Sequence, residues 1–226
     1  FASRCSARSA DQSSAQSSAE APGHFCAFGG GALVGSPAMD TITELAALQL
    51  TCVHFVASDD LGRFLAVCSL LPIFASFAYV VLVVERRDAQ TVAVSIGQAL
   101  NLLVNFIVKH VAKQPRPLLG QALLGDSYGM PSNHAQYAAF LGVAVVLALW
   151  RGSRGFFDRG VRALLTVIAC ALCSWSRSYL SYHTPLQVVV GCVIGAVASL
   201  AWRVVMDYGL ERKIEVILRK LQPKAD

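Results

Sequence analysis

The sequence predicts an all-α fold, a polytopic membrane helix bundle with about five transmembrane helices. Three observations carry that expectation. The 226 residues are 55% hydrophobic and only 15% charged, against about 25% charged in an ordinary soluble domain. Mean hydropathy is +0.53. The apolar residues gather into uncharged runs of membrane-crossing length. A disordered chain is excluded and a soluble enzyme is disfavoured. The net charge of +5 does not form one basic stripe, so nucleic acid is not an expected partner. The seven cysteines are scattered over tail and apolar segments, which argues against a disulfide scaffold.

Residues 1–41 are rich in Ser, Ala and Gly and lack any helical or strand period. They are expected to be a disordered or targeting tail. The chain opens on Phe1 rather than Met, as a fragment or a processed chain does. Residues 42–57 are apolar but short, contain His54, and predict an interfacial or extra helix. Residues 64–84 are an uncharged run of 21; at about 1.5 Å per residue they cross a hydrocarbon core of about 30 Å. Pro72 predicts a kink in it. Residues 91–108, 135–150 and 184–202 supply three more runs, and 163–176 a shorter one between Arg162 and Arg177.

Gly191, Gly195 and Ser199 recur at four-residue spacing, which suits close helix contact or simply reflects a helix rich in small residues. Trp150, Trp175 and Trp202 read as interface anchors. Residues 42–206 therefore form one membrane domain. Residues 207–226 form a basic amphipathic helix, with Leu210, Ile214, Ile217, Leu218 and Leu221 on one face, suited to a membrane surface or a partner.

Charge sets the orientation. With five spans, the 85–90 loop, the 151–162 loop and the C-terminal segment share one side and hold twelve of the 19 Lys and Arg. The positive-inside rule makes that side cytoplasmic. Segments 109–134 and 176–184 then face the lumen of the endoplasmic reticulum, or the periplasm of a bacterium.

The unusual residues concentrate there: Lys109 to Pro117, Gly129 to His134, and Ser176 to Gln187. Gln98, Asn101, Asn105 and Lys109 share one helix face, which must point into the bundle. Gln98 and Asn101 read as interhelical hydrogen-bonding groups, with Lys109 ending the stripe. Lys109, Arg116 and Arg177 suit a multiply charged phosphate, because Arg offers a planar fork of donors and Lys a point charge. Ser132 adds a hydroxyl or a backbone N–H at a helix start. Such a site needs no metal, and this side shows no acidic cluster: Asp126 stands alone, and Asp59 and Asp60 read as interface residues. No cofactor is expected.

Two histidines suit phosphoryl transfer through a covalent intermediate, one attacking phosphorus and the other moving protons. Gln187 follows His183 by one helical turn, so its carbonyl reaches the far ring nitrogen. His24, His54 and His110 read as ordinary polar contacts, and Lys113 as an interface anchor as readily as a site cation. Cys170 and Cys173, inside an apolar run, are poor zinc or redox candidates.

The three segments fit the patterns K-x6-R-P, P-S-x-H and S-R-x5-H, in order and with matching spacing over about 80 residues. In this the sequence resembles the type 2 phosphatidic acid phosphatase superfamily of membrane lipid phosphatases. It looks most like the dolichyldiphosphatase branch, on Gly129 to Gln136, Ser176 to Gln187, and Asn105 to Lys109. The resemblance covers about residues 50–206. It implies that Lys109, Arg116 and Arg177 clamp phosphate with help from Ser132, that His134 is the acid and base, and that His183 is the nucleophile. It implies a polyprenyl (dolichyl) diphosphate substrate, with dolichyl phosphate recycled as a lipid carrier for N-glycosylation.

Most of the superfamily carries Asp where this chain has Gln187, a departure shared with the dolichyldiphosphatase branch. A neutral acceptor stabilises a protonated imidazole less, so slower attack is expected. Asn133 also replaces the usual small residue. Two other readings stand beside this one. Residues 130–136 and 183–191 are also similar to plastid lipid phosphate phosphatases, whose substrate would be phosphatidic acid. A catalytically silent scaffold or lipid-binding protein is the third, and the full set of histidines and cations argues against it.

Overall fold

The computed structural model describes residues 45–48, 53–125, 127–152 and 155–221. The expected tail, His24, Asp126 and Arg154 lie outside them. Strands β1 (Leu45–Leu48) and β2 (Val53–Val56) pair antiparallel, with Leu45 opposite Val56 and Leu48 opposite Val53. The helices are α1 (Asp60–Cys68), α2 (Leu71–Arg86), α3 (Ala89–Ala112), α4 (Leu118–Leu124), α5 (Asn133–Arg151), α6 (Phe156–Tyr179), α7 (Pro185–Val205) and α8 (Glu211–Leu221). A π-helical turn, Met206–Leu210, joins the last two.

The hairpin corrects the helix expected over 42–57. Its physical reason is visible in β2, where burial alternates with period two: Val53 and Phe55 are buried while His54 and Val56 are half-buried. Val53 and Phe55 pack with Ala66, Leu70, Leu180 and Tyr182. The hairpin is thus fastened to the turn between α6 and α7.

Four helical stretches are long and apolar enough to cross a membrane: Asp60–Arg86, Ala89–Ala112, Asn133–Arg151 and Pro185–Lys220. The fifth expected span lies within α6, whose 24 residues have the length. Asp158, Arg159, Arg162 and Arg177 at its two ends keep it from matching the other four in apolarity. In the first stretch the helix breaks at Ser69 and Leu70, where Ser69 Oγ donates to the Ala66 carbonyl at 2.7 Å. Pro72 sits in the first turn of α2, where its missing N–H costs nothing. The outer face of α2 exposes Phe74, Phe77, Val80, Val81 and Val84. An apolar surface this extensive belongs against lipid.

Helices α5 and α7 approach most closely. A Cβ on Gly191 would fall 2.7 Å from the Ser132 carbonyl oxygen, and one on Gly195 would overlap the Gln136 carbonyl. With Ser199 also buried, the small-residue stripe is a helix contact.

The polar stripe of α3 faces inward, as its spacing requires. Asn105 Nδ2 donates to Gln136 Oε1 at 2.8 Å, and Gln136 Nε2 donates to Asn101 Oδ1 and to its carbonyl at 2.9 Å. Gln98 departs from its expected pairing: it is buried and neither amide atom has a hydrogen-bond partner.

Trp202 is a second correction. Its indole N–H donates to the Ala93 carbonyl at 2.9 Å, and its ring fills the space left by Gly97. It locks α7 to α3 instead of anchoring at a lipid interface. Trp150 and Trp175 are about half exposed. At the basic end, Asp207 pairs with Arg151 at 2.9 Å and with Arg203. Gly209, at φ +107°, takes the left-handed backbone there.

Candidate functional site

The opposite end of the bundle collects the seven candidate residues from six pieces of chain. Lys109 lies in the last turn of α3, and Arg116 in the connector that follows. Ser132 is the N-cap of α5, with His134 in its first turn. Arg177 lies in the last turn of α6, His183 in the turn beyond it, and Gln187 in the first turn of α7. His134 is half-buried and within electrostatic reach of Arg177, His183, Lys109 and Arg116. Lys113 stands apart as the exposed C-cap of α3.

Local sequence explains the placement. Thr184 and Gln187 form a capping box with Pro185 in the first turn, so α7 must begin directly after His183. The Arg177 carbonyl accepts the Tyr182 N–H at 3.1 Å and the His183 N–H at 3.0 Å, folding the turn back onto α6. Ser132 N–H donates to the Gln187 carbonyl at 3.0 Å. That bond fastens the start of α5 to α7 and removes the backbone N–H as a ligand group, leaving the Ser132 hydroxyl.

The hydrogen bonds define the tautomer of His183. Arg116 Nη1, which only donates, lies 2.9 Å from His183 Nε2. Nε2 is therefore the acceptor and carries the lone pair. Nδ1 carries the proton and donates to Gln187 Oε1 at 3.2 Å. The Gln187 amide is itself oriented, because its Nε2 donates to the Pro115 carbonyl at 2.8 Å and to Gln114 Oε1 at 3.1 Å. Gly129 leaves room for that amide, since a Cβ there would come within 2.5 Å of Gln187 Nε2.

The electrostatics are one-sided. Among the described residues no carboxylate pairs with Lys109, Arg116 or Arg177. Arg177 is buried, and its Nε and Nη1, like Ser132 Oγ, have no hydrogen-bond partner. Buried donors without partners are rare and costly. Such unanswered donors, at the end of the bundle that also holds Lys109 and Arg116, are what an anion site requires. Burial, reinforced by Arg116, Arg177 and Lys109, pushes His183 down to about 3, although its bond to Gln187 pulls the other way. Its imidazole is neutral throughout the physiological range.

Among the described residues no group of His, Cys, Asp and Glu is arranged to hold a metal ion. Cys170 and Cys173 are free thiols packed with Ala138 and Leu71.

Sequence reasoning missed Tyr182, Gln114, Gly129 and Gln136 as supports of the site. For Gln136 a signal existed: a lone amide in an apolar run answers the unpaired Asn101 and Asn105. Gln114 acts through its side-chain Oε1, Tyr182 through its ring, hydroxyl and carbonyl, and Gly129 by absence of bulk, with partners that residue spacing does not reveal.

Residues 90–210 match the family model described as PAP2 superfamily. Dolichyldiphosphatase 1 of Mus musculus is 38% identical over 167 residues, 70% of this chain and 70% of its own length. Lipid phosphate phosphatase gamma of Arabidopsis thaliana is 33% identical over 170 residues, 73% of this chain and 75% of its own. Among solved structures, a transmembrane PAP2 type phosphatidylglycerolphosphate phosphatase from Bacillus subtilis superposes with a TM-score of 0.58 at 16% identity. That match covers 77% of this chain and 89% of the other.

Proposed function

The chain belongs to the PAP2 superfamily of membrane phosphatases, and on that premise we propose that it hydrolyses dolichyl diphosphate to dolichyl phosphate and inorganic phosphate. The observation that carries the reading is the opposed pairing of His183, with Gln187 on Nδ1 and the cationic pocket on Nε2. Phosphate entering the pocket draws Arg116 onto its own oxygens and frees the Nε2 lone pair. Lys109, Arg177 and the Ser132 hydroxyl complete the clamp.

In the first step His183 Nε2 attacks the terminal phosphorus in line. The bond from phosphorus to the bridging oxygen breaks, and dolichyl phosphate leaves with a proton from His134. In the second step His134 takes a proton from water, whose oxygen attacks phosphorus. The P–N bond breaks, inorganic phosphate departs, and His183 returns to its neutral form. Gln187 carries no charge, so it orients the imidazole without adding to its basicity. A pocket of three cations would repel a divalent metal, and catalysis is expected to persist in EDTA.

The lumenal face of the endoplasmic reticulum fits both the charge asymmetry and the similarity to the dolichyldiphosphatases. The basic end, with Arg86, Arg87, Arg151 and Arg203, is cytoplasmic by the positive-inside rule. Phosphate removal at the lumenal face would recycle the lipid carrier used in protein N-glycosylation. Helix α8 (Glu211–Leu221) serves in this reading as a surface helix on the cytoplasmic leaflet.

Phosphate release from dolichyl diphosphate, dolichyl phosphate and phosphatidic acid, compared in nanodiscs with and without EDTA, tests the reading. The highest kcat/KM is expected with dolichyl diphosphate, unchanged by the chelator. Preference for phosphatidic acid would move the chain to a second reading, which its 33% identity to the Arabidopsis lipid phosphate phosphatase favours. Lipid binding without turnover would leave a silent scaffold.

The Gln187 contact makes a sharper prediction. Gln187→Leu strands the Nδ1 proton and releases the tautomer, and a fall of about 10- to 100-fold in kcat is expected. Gln187→Glu places a carboxylate against Nδ1, which favours the imidazolium and raises the His183 pKa. More of the nucleophile is then protonated as pH falls. The ratio of kcat/KM at pH 8 to that at pH 5.5 is expected to rise by up to about fourfold over wild type.

A further inference from the structure

The geometry points to Tyr182 as a positioning residue that aligns both arginines of the phosphate clamp, anchored by strand β2. This rests on the phosphate-clamp reading above. The Arg177 guanidinium carbon lies 4.2 Å from the centroid of the Tyr182 ring. Arg177 is buried, two of its nitrogens have no hydrogen-bond partner, and no acid pairs with it among the described residues. The ring face is thus a principal attractive contact holding that cation, and in a desolvated setting such a contact is strong. The backbone of the same residue holds the other arginine, because Arg116 Nη1 donates to the Tyr182 carbonyl at 3.2 Å.

Tyr182 is itself held from outside the bundle. The His54 backbone N–H donates to the Tyr182 hydroxyl at 2.8 Å. Val53 and Phe55, on either side of His54, pack into the cluster that includes the Tyr182 ring. Gly120 of α4 closes the other flank, where a Cβ would come within 2.9 Å of the Tyr182 carbonyl. The hairpin lies before residue 90, outside the segment that matches the superfamily. It works here as a clip that fixes the tyrosine against which the site cations are set.

The test is binding of inorganic phosphate to the full chain in nanodiscs, followed by 31P NMR, for wild type, Tyr182→Leu, Tyr182→Phe, Arg177→Met and the double variant Arg177→Met/Tyr182→Leu. A thermal midpoint and a monodisperse elution profile establish that each is folded. Tyr182→Leu is expected to raise the phosphate Kd about tenfold. Tyr182→Phe keeps the ring and is expected to stay within about threefold. In the Arg177→Met background, Tyr182→Leu is expected to add less than about twofold, because the group it positions is already gone.

The proposal is overturned if Tyr182→Leu leaves the Kd unchanged, if Tyr182→Phe is as weak as Tyr182→Leu, or if the double variant shows the full additive loss of a merely structural residue. A phosphate Kd unaffected by Arg177→Met would instead sink the phosphate-clamp reading itself.

Discussion

His183→Ala is expected to abolish turnover and covalent labelling together. With the nucleophile removed, no P–N bond forms, and a fall in kcat of about 10⁴-fold or more follows. Dolichyl diphosphate labelled in its terminal phosphate should leave no acid-labile label on the protein. His134→Ala should behave differently. Its leaving group is a phosphate, which departs with little help from an acid, whereas water attacks poorly without a base. Labelled phosphohistidine is therefore expected to accumulate in that variant while steady-state turnover falls about 10²- to 10⁴-fold. Phosphate release by His183→Ala at the wild-type rate, or label retained in it, would end the assignment of His183 as the nucleophile.

Gly195→Ala is expected to be the most damaging single methyl group in the bundle. Its Cβ would overlap the Gln136 carbonyl, a backbone atom that no rotamer change can withdraw. Helices α5 and α7 must separate, at about 2–3 kcal/mol. The same shift pulls the first turn of α5, with Ser132 and His134, away from Gln187. A displacement near 1 Å costs about 10²-fold in rate. Gly160→Ala in α6 is the control, since a Cβ there meets nothing within 4 Å. It should be neutral or stabilising by a few tenths of a kcal/mol. Thermal midpoints and phosphate release on the two variants check both statements, and equal midpoints would disprove the tight α5–α7 contact.

Much of this architecture was legible in the chain itself. Uncharged runs mark five expected spans, four of which are long and apolar enough to cross a membrane, and the α3 stripe identifies its inward face. The motif spacing foretold that Lys109, Arg116, Ser132, His134, Arg177 and His183 would meet. What escaped has a common cause. The segment 42–57 predicts a helix and forms a hairpin, because short apolar runs carry the same signal for helix and strand. The role of Trp202 depended on Gly97, a residue far away in sequence whose contribution is a missing side chain. The Ser132 N–H was committed to a carbonyl on α7, a contact that no residue type announces. Partners defined by backbone groups and by vacant volume become visible only once the chain is folded.

The Gln187 amide reaches back to the Pro115 carbonyl, and the Gln187 carbonyl to Ser132 N–H. On the proposed assignment, the cations of the phosphate clamp leave the ribosome before the part that aims the imidazole. A nascent chain halted after α6 would hold Lys109, Arg116 and Arg177 with neither nucleophile nor orienting amide. In that assignment catalytic competence is gained late in synthesis, when insertion of the final long helix shuts the ring.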